Sequence, residues 1–414
     1  MQAEDPQKQY VSADLFYLSQ GDYAFMADVF FMIFVCFSCN LFCIRLTVLC
    51  NSVIITLTIR SKLYVLTKVI YSAIFASNKE VSTVKKIINA VDQVENQMIA
   101  GMCKAYPQYV TKIEAGNVVV RSEKKTDKVA LISGGGSGHE PVAGGYVGKG
   151  MLDAAVAGAV FTSPTPDMIY EGIKAIDNGN GVLMLIMNYT GDVMNFEMAA
   201  DMARDMDDIE VDQVIIDDDV AVDGSTYTVG RRGIAGVVLV HKITGAKAET
   251  GASLAEVKAA SQKAIDNVRS MSMAITPCTV PAAGEPGFEL AEDEMEIGIG
   301  VHGEPGVKKM KVAPADEIVD MMLDKILGDL DFAGHEVCVL VNGTGGTPNM
   351  ELFIVNNHVQ EVLAEKGVKV YKTMVGNYFT SLEMQGFSIS LLRLDDELKE
   401  LLDADCDTIA WKEG

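Results

Sequence analysis

Residues 129–141, VALISGGGSGHEP, combine an apolar run, a cluster of glycines and a histidine, and the rest of the chain is interpreted from them. Residues 129–132 have no polar interruption, which is typical of a strand buried on both faces. Four glycines then strip the following loop of side chains, so a ligand can approach its backbone closely. His139 follows that loop, where it could act as a base, a nucleophile or a ligand, or could simply face solvent.

The composition changes abruptly near residue 84. Of the 37 glycines only Gly21 precedes this point, and residues 1–83 carry equal numbers of acidic and basic side chains. The formal net charge of −23 therefore resides in residues 84–414 and argues against partners such as nucleic acid or anionic membranes. Four cysteines scattered after residue 84 are typical of a reduced, cytoplasmic protein.

Residues 1–83 form a hydrophobic N-terminal extension that we expect to be helical. Residues 24–44 are long enough to cross a bilayer as a helix, and two weaker apolar stretches follow, up to residue 76. Basic residues after the first span would place that side in the cytoplasm. Two interpretations stay open: a membrane anchor within 24–76, or an upstream stretch translated in frame before a native start near Val84.

From residue 84 onward strands and helices alternate, which predicts an α/β fold with mainly parallel strand pairing. We place a boundary near residue 266, between a mainly parallel α/β/α first part, 84–266, and an α+β second part, 267–414. The hydrophobic spacing predicts strands at 182–187, 211–216, 336–342 and 369–376, and helices at 84–105, 166–177, 314–328, 349–366 and across 233–275.

Several predicted strands end in a loop that carries glycine and one ionisable side chain. These are His139, Asp192, the run at 217–219 and His302. Because ligands of open α/β sheets bind beyond the carboxyl ends of the strands, these loops are expected to converge on one site. The acidic run could bind a divalent metal, although a solvated cap is the commoner role, and no glycine loop has the spacing of a nucleotide-binding motif. We therefore expect neither a metal nor a nucleotide on this chain.

Seven motifs in order then identify a family. They are SGGGSGHEP (133–141), FTSPTPD (161–167), NYTGD (188–192), IDDDVAV (216–222), GRRG (230–233), CTVPAAG (278–284) and GVHGEPG (300–306). Together they closely resemble the K subunit, the substrate-binding domain, of dihydroxyacetone kinase, over about residues 84–414. The resemblance implies the two-part fold of that domain, and residues 1–83 have no counterpart in it.

The resemblance also implies site residues. His302 would attack the ketone carbon of dihydroxyacetone and form a covalent hemiaminal, a plausible reaction for an imidazole nitrogen. His139 would act as general base on the hydroxyl that accepts phosphate, and Asp192 would assist and orient it. Residues Gly136, Ser137 and Gly138 would line the substrate pocket.

Partners follow from the same resemblance. It points to the multi-subunit bacterial type, in which a separate L subunit carries ADP or ATP with magnesium and delivers the phosphoryl group. A phosphotransferase-system M subunit, fed by phosphoenolpyruvate, recharges the L subunit. The family implies a homodimer, and a membrane association only if residues 24–76 are an anchor.

One position departs from the family pattern. A lysine that hydrogen-bonds the substrate usually precedes NYTGD, and here that residue is Met187. Loss of a charged donor would weaken triose binding roughly tenfold or admit another short ketose. It also leaves open a rival function, a non-catalytic ketone sensor or co-regulator, although such a sensor would need only His302.

Overall fold

The computed structural model describes residues 30–36, 43–50, 53–60, 85–221 and 230–414. The chain divides into two compact units, Met1–Glu80 and Val81–Gly414. The boundary at residues 83 and 84 and the native start near Val84 stay predictions. The boundary near residue 266 lies inside the second unit and stays a prediction.

The first unit contains three strands that pair antiparallel in the order β1–β2–β3: Phe30–Cys36, Cys43–Cys50 and Val53–Arg60. The prediction of helix is wrong for these residues. They are rich in phenylalanine, valine, isoleucine and threonine, which favour strands, and a continuous apolar run has no period that separates strand from helix. The rest of the predicted span at 24–44 lies outside the described residues. Among the described residues no helix is both long and apolar enough to cross a membrane.

The second unit begins with a six-stranded sheet in the order β4–β5–β7–β6–β8–β9. The central strands β7, β6, β8 and β9 are parallel, and β4 and β5 add an antiparallel edge. The strands are β4 Val110–Lys112, β5 Val118–Arg121, β6 Ala130–Ser137, β7 Ala154–Val160, β8 Val182–Met187 and β9 Val211–Ile216. The helices of this part are α1 Val94–Ala105, α2 Pro166–Ile176, α3 Thr190–Asp207, α4 Val237–Glu249 and α5 Leu254–Asn267.

Strand β6 continues through the glycines instead of breaking before them. The prediction of a loop from residue 133 is therefore wrong as far as Ser137. A Cβ on Gly134 would lie 2.4 Å from the carbonyl oxygen of Val156, and one on Gly136 would lie 2.6 Å from the amide of Thr162. These glycines thus allow close packing against the backbone of adjacent segments.

A second six-stranded sheet follows in the order β12–β11–β10–β15–β13–β14, with only the β13–β14 pair parallel. This confirms the predicted α+β character. Its strands are β10 Val268–Ala274, β11 Glu294–Ile297, β12 Lys308–Lys311, β13 Glu336–Gly343, β14 Lys369–Gly376 and β15 Gly386–Leu394. The helices are α6 Ala315–Asp329, α7 Asn349–Glu365 and α8 Asp396–Asp403, and a short pair, β16 Cys406–Asp407 and β17 Lys412–Glu413, closes the chain.

Helices α4 and α5 join the two sheets into one body. Their buried side chains share a single hydrophobic cluster with Leu131 and Leu183 of the first sheet and with Leu340 and Leu392 of the second. The far face of the first sheet packs on α2 and α3, and the far face of the second packs on α6 and α7. Loops from both sheets can therefore meet at one place in a fixed geometry.

Candidate active site

His139 lies just beyond the carboxyl end of β6, in a slot between two aromatic rings. Its ring stacks on Phe161 at 4.9 Å and on Phe379 at 5.2 Å, and only 1% of the residue is exposed. The Nδ1 atom lies 2.9 Å from the carbonyl oxygen of Thr380. Because a carbonyl can only accept, this contact places a proton on Nδ1 and leaves Nε2 as the acceptor.

His302 is held by the loop that follows β11. Its Nδ1 lies 2.8 Å from Oε1 of Glu304, and its backbone amide donates to Oε2 of the same carboxylate at 2.9 Å. Burial raises the pKa of Glu304, but the hydrogen bonds and charge of His302 outweigh it and hold that pKa at about 2. Glu304 is therefore ionised and accepts the Nδ1 proton. The turn itself needs glycine at 303, where φ is +86° and a Cβ would lie 2.6 Å from Phe288.

The two histidines face one another through their remaining nitrogens, with Nε2 to Nε2 3.1 Å apart. Since both Nδ1 atoms carry protons, a hydrogen bond across this gap needs one additional proton between the two Nε2 atoms. Burial and the neighbouring His302 lower the pKa of His139 to about 3, so His139 itself does not hold a second proton at neutral pH. Removal of that proton exposes two nitrogen lone pairs to the same space.

Asp192 lies in the first turn of α3 and is 6% exposed. Its Oδ1 atom has no hydrogen-bond partner among the described residues. Burial raises its pKa to about 6, although a hydrogen bond with Ser163 and the charge of His302 act in the opposite direction. An unpartnered, buried carboxylate oxygen at the end of a parallel strand is a group available to a ligand.

Ser137 and Gly138, which were predicted to line the pocket, make hydrogen bonds to other parts of the protein. Ser137 turns away, because its hydroxyl donates to the carbonyl oxygen of Gly158 at 2.7 Å. The amide of Gly138 donates to the side chain of Glu140, and its carbonyl accepts from the amide of Leu382 at 2.8 Å. Both residues thus support the loop that carries His139, and their predicted contact with substrate stays a prediction, as does that of Gly136.

The glycine that does face the carboxylate is Gly135, which the sequence did not single out. A Cβ at this position would lie 2.9 Å from Cε of Met187 and 3.8 Å from Oδ1 of Asp192. Met187, at the end of β8, is 4% exposed. The methyl group of Met187 and the unpartnered oxygen of Asp192 therefore both face Gly135.

Two carboxylates of the acidic run after β9 accept hydrogen bonds from within the protein. The carboxylate of Asp218 accepts from the amides of Ile234 and Gly236 and so fixes the start of α4. Asp219 accepts from Nε of the fully buried Arg232 at 2.8 Å. Within 85–221 and 230–414, no three His, Cys, Asp or Glu side chains are grouped to hold an ion.

Arg232 extends this network behind the histidines. Its guanidinium also donates to the carbonyl oxygen of Gly298 at 2.7 Å, at the base of the loop that carries His302. A Cβ on Gly300 would lie 2.0 Å from Oε2 of Glu304 and 2.7 Å from Nη1 of Arg232, so both charged groups converge on that glycine. Arg232 of the GRRG motif therefore holds the backbone of the loop that carries the HGEPG motif.

A family model matches this architecture and these motifs. The model of the Dak1 domain matches residues 100–410. The chain belongs to the Dak1 domain family. The resemblance inferred from the seven motifs is thereby confirmed, and so is the fold that it implied.

Known proteins and solved structures match most of this chain. The PTS-dependent dihydroxyacetone kinase 1, dihydroxyacetone-binding subunit DhaK, of Listeria innocua is 55% identical over 330 residues, which cover 79% of this chain and 100% of the relative. The crystal structure of the dihydroxyacetone kinase of C. freundii matches with a TM-score of 0.74 and 33% identity, over 80% of this chain and 61% of that one. A dihydroxyacetone kinase operon co-activator, DhaQ, matches with a TM-score of 0.72 and 34% identity, over 77% of this chain and 98% of that one.

Proposed function

We propose that this chain is the dihydroxyacetone-binding subunit of a phosphotransferase-dependent dihydroxyacetone kinase. It takes up the ketone as a covalent hemiaminal and presents a hydroxyl for phosphorylation to dihydroxyacetone phosphate. The observation that carries this function is the 3.1 Å separation of the two Nε2 atoms, with each opposite nitrogen fixed by its own acceptor. A nucleophile and a base thus share one space, and relatives with the same family domain carry this function in their names.

In the first step, Nε2 of His302 is the nucleophile. The proton between the two Nε2 atoms passes to the ketone oxygen, and the carbonyl π electrons form the new O–H bond. Loss of this proton frees the lone pair on Nε2 of His302, which forms the bond to the ketone carbon. The ring then carries a positive charge, which the carboxylate of Glu304 stabilises at 2.8 Å from Nδ1. Charge and protons balance without any other reactant, because the cation present before the reaction is retained on the adduct.

In the second step, His139 acts as the general base. A terminal hydroxyl of the bound triose gives its proton to Nε2 of His139 while the hydroxyl oxygen attacks the γ-phosphorus of the donor. The bond from that phosphorus to the bridging oxygen of the nucleoside diphosphate breaks, and the diphosphate leaves. Asp192 accepts a hydrogen bond from the reacting hydroxyl through its unpartnered Oδ1 and so orients it.

The donor nucleotide and its magnesium belong to a partner. We propose that an L subunit brings ADP or ATP with magnesium, that an M subunit of the phosphotransferase system recharges it, and that this chain binds no cofactor itself. The chain is proposed to act in the cytoplasm as a homodimer. Four unpaired thiols in the described residues, at Cys103, Cys278, Cys338 and Cys406, support a reducing compartment.

A second candidate is a ketone-binding co-activator that does not transfer phosphate, or a kinase for another short ketose. The apolar methyl of Met187, which faces Gly135 as Asp192 does, supports it, as does the 34% identity to the DhaQ co-activator. The buried carboxylate of Asp192 favours the kinase, because ketone capture by His302 alone does not require it.

The test combines the full chain with L and M subunits, phosphoenolpyruvate and dihydroxyacetone, and follows both triose phosphate and the adduct. Release of triose phosphate that depends on His302 is the expected result. An adduct without triose phosphate would establish the co-activator, and the absence of both products would contradict both candidates. The His302→Ala variant is the control for background phosphorylation.

A further inference from the structure

Three non-glycine residues in the described part of the chain have positive φ: Phe161 at +57°, Asp208 at +57° and Leu382 at +54°. Asp208 caps the C-terminal end of α3, where a short polar side chain adopts this conformation readily. Phenylalanine and leucine do not, because a bulky side chain at positive φ collides with its own backbone. Backbone strain of this kind persists only where the surrounding structure enforces it, and it is frequent at functional sites.

The two strained bulky residues close on the turn that carries His139. The amide of Phe161 donates to the carbonyl oxygen of Ser137 at 3.0 Å. The amide of Leu382 donates to the carbonyl oxygen of Gly138 at 2.8 Å. A Cβ on Gly138 would lie 2.9 Å from Cε1 of Phe161 and 3.1 Å from Cδ2 of Leu382. Because Phe161 directly follows β7 of the first sheet and Leu382 lies between β14 and β15 of the second, the turn is held from both sheets.

The two residues before Leu382 connect the same segment to both histidine loops. The amide of Thr380 donates to the carbonyl oxygen of His139 at 3.3 Å, in addition to the contact that the carbonyl of Thr380 makes with Nδ1 of that ring. The hydroxyl of Ser381 donates to the carbonyl oxygen of Val301, which directly precedes the other histidine of the site. Three consecutive residues therefore bridge the two loops, so the position of this segment bears directly on the distance between the histidines.

A buried asparagine in β13 fixes the start of the segment. Oδ1 of Asn342 accepts from the amides of Tyr378 and Phe379, both at 2.8 Å. Its Nδ2 donates to the carbonyl oxygen of Phe379 at 2.7 Å, and only 1% of the residue is exposed. The segment is thus anchored by Asn342 at its start and by Leu382 at its end.

We propose that Leu382 is a positioning residue, which holds the turn before His139 and so keeps that ring opposite His302. The inference rests on the proposed function, in which His139 is the general base and His302 is the nucleophile. Glycine would adopt the backbone conformation of residue 382 without strain, so leucine lowers stability at this position. Its side chain lies against Gly138, which has no side chain of its own to fill the turn. The strained leucine therefore exchanges some stability for a fixed position of the base.

The experiment compares two variants of the full chain, Leu382→Gly and Asp208→Gly. Both put glycine where a non-glycine residue has positive φ, but Asp208 lies at the end of α3 opposite to Asp192. Turnover is measured with the L and M subunits, phosphoenolpyruvate and dihydroxyacetone. We expect Leu382→Gly to lower kcat roughly tenfold to a hundredfold with a smaller change in KM, because a small displacement of the base removes most of its effect. Asp208→Gly should turn over as the unchanged protein does.

A spectroscopic measurement reports the position of the ring directly. In protein with isotopically labelled histidine, a hydrogen bond between the two Nε2 atoms couples the two nitrogens, and we expect this coupling to be lost in Leu382→Gly and kept in Asp208→Gly. Leu382→Met, which restores a side chain of similar volume, should recover both the coupling and turnover. Thermal unfolding of each variant is followed in parallel. If Leu382→Gly unfolds, Leu382→Asn takes its place, because asparagine tolerates positive φ and has a shorter side chain.

Several outcomes would overturn the inference. A folded Leu382→Gly protein with unchanged kcat and coupling is one, and an equal loss in Asp208→Gly is another. A rise in KM alone would also contradict it, because Leu382 would then serve ketone binding, and absence of the coupling from the unchanged protein would do the same. If the unchanged protein forms no triose phosphate, the proposed function fails, whereas the coupling between the histidines still decides the role of Leu382.

Discussion

The Nε2 atoms of His139 and His302 lie 3.1 Å apart although the two residues are 163 positions apart in the chain. One histidine follows a strand of the first sheet, and the other follows a strand of the second. Their distance is fixed by a common hydrophobic body, in which α4 and α5 pack between the sheets. The proposed base and nucleophile are therefore preorganised by the fold rather than assembled by the substrate.

Glu304→Gln should slow formation of the adduct by roughly tenfold to a hundredfold. Glutamine can still accept the Nδ1 proton of His302 but carries no charge to stabilise the cationic ring, and hydrogen bonds to charged groups contribute about 1.5–3 kcal/mol. The rate is measured by mass spectrometry of the intact protein mixed with dihydroxyacetone. Glu285→Gln, on an exposed loop, is the matched control. An unchanged rate for Glu304→Gln would show that the carboxylate only orients the ring.

Asp192→Asn should abolish phosphoryl transfer but raise stability at neutral pH. Burial raises the pKa of Asp192 from 3.8 to about 6, so the ionised form is disfavoured in the fold. The destabilisation is absent below pH 3.8, grows as the pH rises to about 6 and is constant above that, at about 3 kcal/mol at most. Asparagine mimics the protonated form and removes this cost. The free energy of unfolding, measured with denaturant at about pH 7 and about pH 4, should differ between the proteins only at the higher pH.

One result for Asp192→Asn would contradict this expectation. If Asp192→Asn is no more stable than the unchanged protein at neutral pH, the carboxylate has a partner in solution. In the same unchanged protein we expect turnover to fall below about pH 6, as Asp192 becomes protonated.

Arg232→Met should destabilise the protein by about 3–5 kcal/mol, because it leaves Asp219 charged and fully buried without its partner. Urea denaturation measures the loss. Adding Asp219→Asn to the same protein removes the unpaired charge and should restore part of the stability. A single variant as stable as the unchanged protein would mean that the pair contributes little, and a double variant no better than the single one would assign the loss to the contact with Gly298.

Met187→Lys should tighten dihydroxyacetone binding roughly tenfold. The ammonium group would lie near the unpartnered oxygen of Asp192 and could donate a hydrogen bond to the substrate. Affinity is measured as the dihydroxyacetone concentration at which half of the protein carries the adduct. Met187→Leu, which keeps an apolar side chain, is the control. Equal affinity in all three proteins would mean that other groups already replace the lysine.

Local patterns in the sequence predicted much of the fold. Strand β8 begins and ends where its unbroken apolar run does, and β9 covers the predicted residues 211–216. The Ser-Pro-Thr-Pro stretch marks the start of α2. The expectation of helices across 233–275 is wrong from Val268 onward, where β10 begins. This segment is a strand because it pairs with β15, which lies more than a hundred residues later in the chain. The spacing of nearby apolar residues carries no information about that pairing.

The site shows the same division between local and distant information. His139, His302 and Asp192 could be named because each follows a strand in a glycine-rich motif, and Glu304 lies in the quoted HGEPG motif without a role having been given to it. Phe379 and Thr380, which fix the ring of His139, had no signal, because they come from a loop of the other sheet. Contacts of this kind depend on tertiary packing, which a single sequence does not display.

The most direct test of the central claim is NMR of dihydroxyacetone labelled at its ketone carbon, bound to the full chain with isotopically labelled histidine. We expect a protein-bound tetrahedral carbon with one-bond coupling to a histidine nitrogen, and loss of that signal in His302→Ala. A bound ketone that remains trigonal, or a coupled signal that persists in His302→Ala, would contradict it.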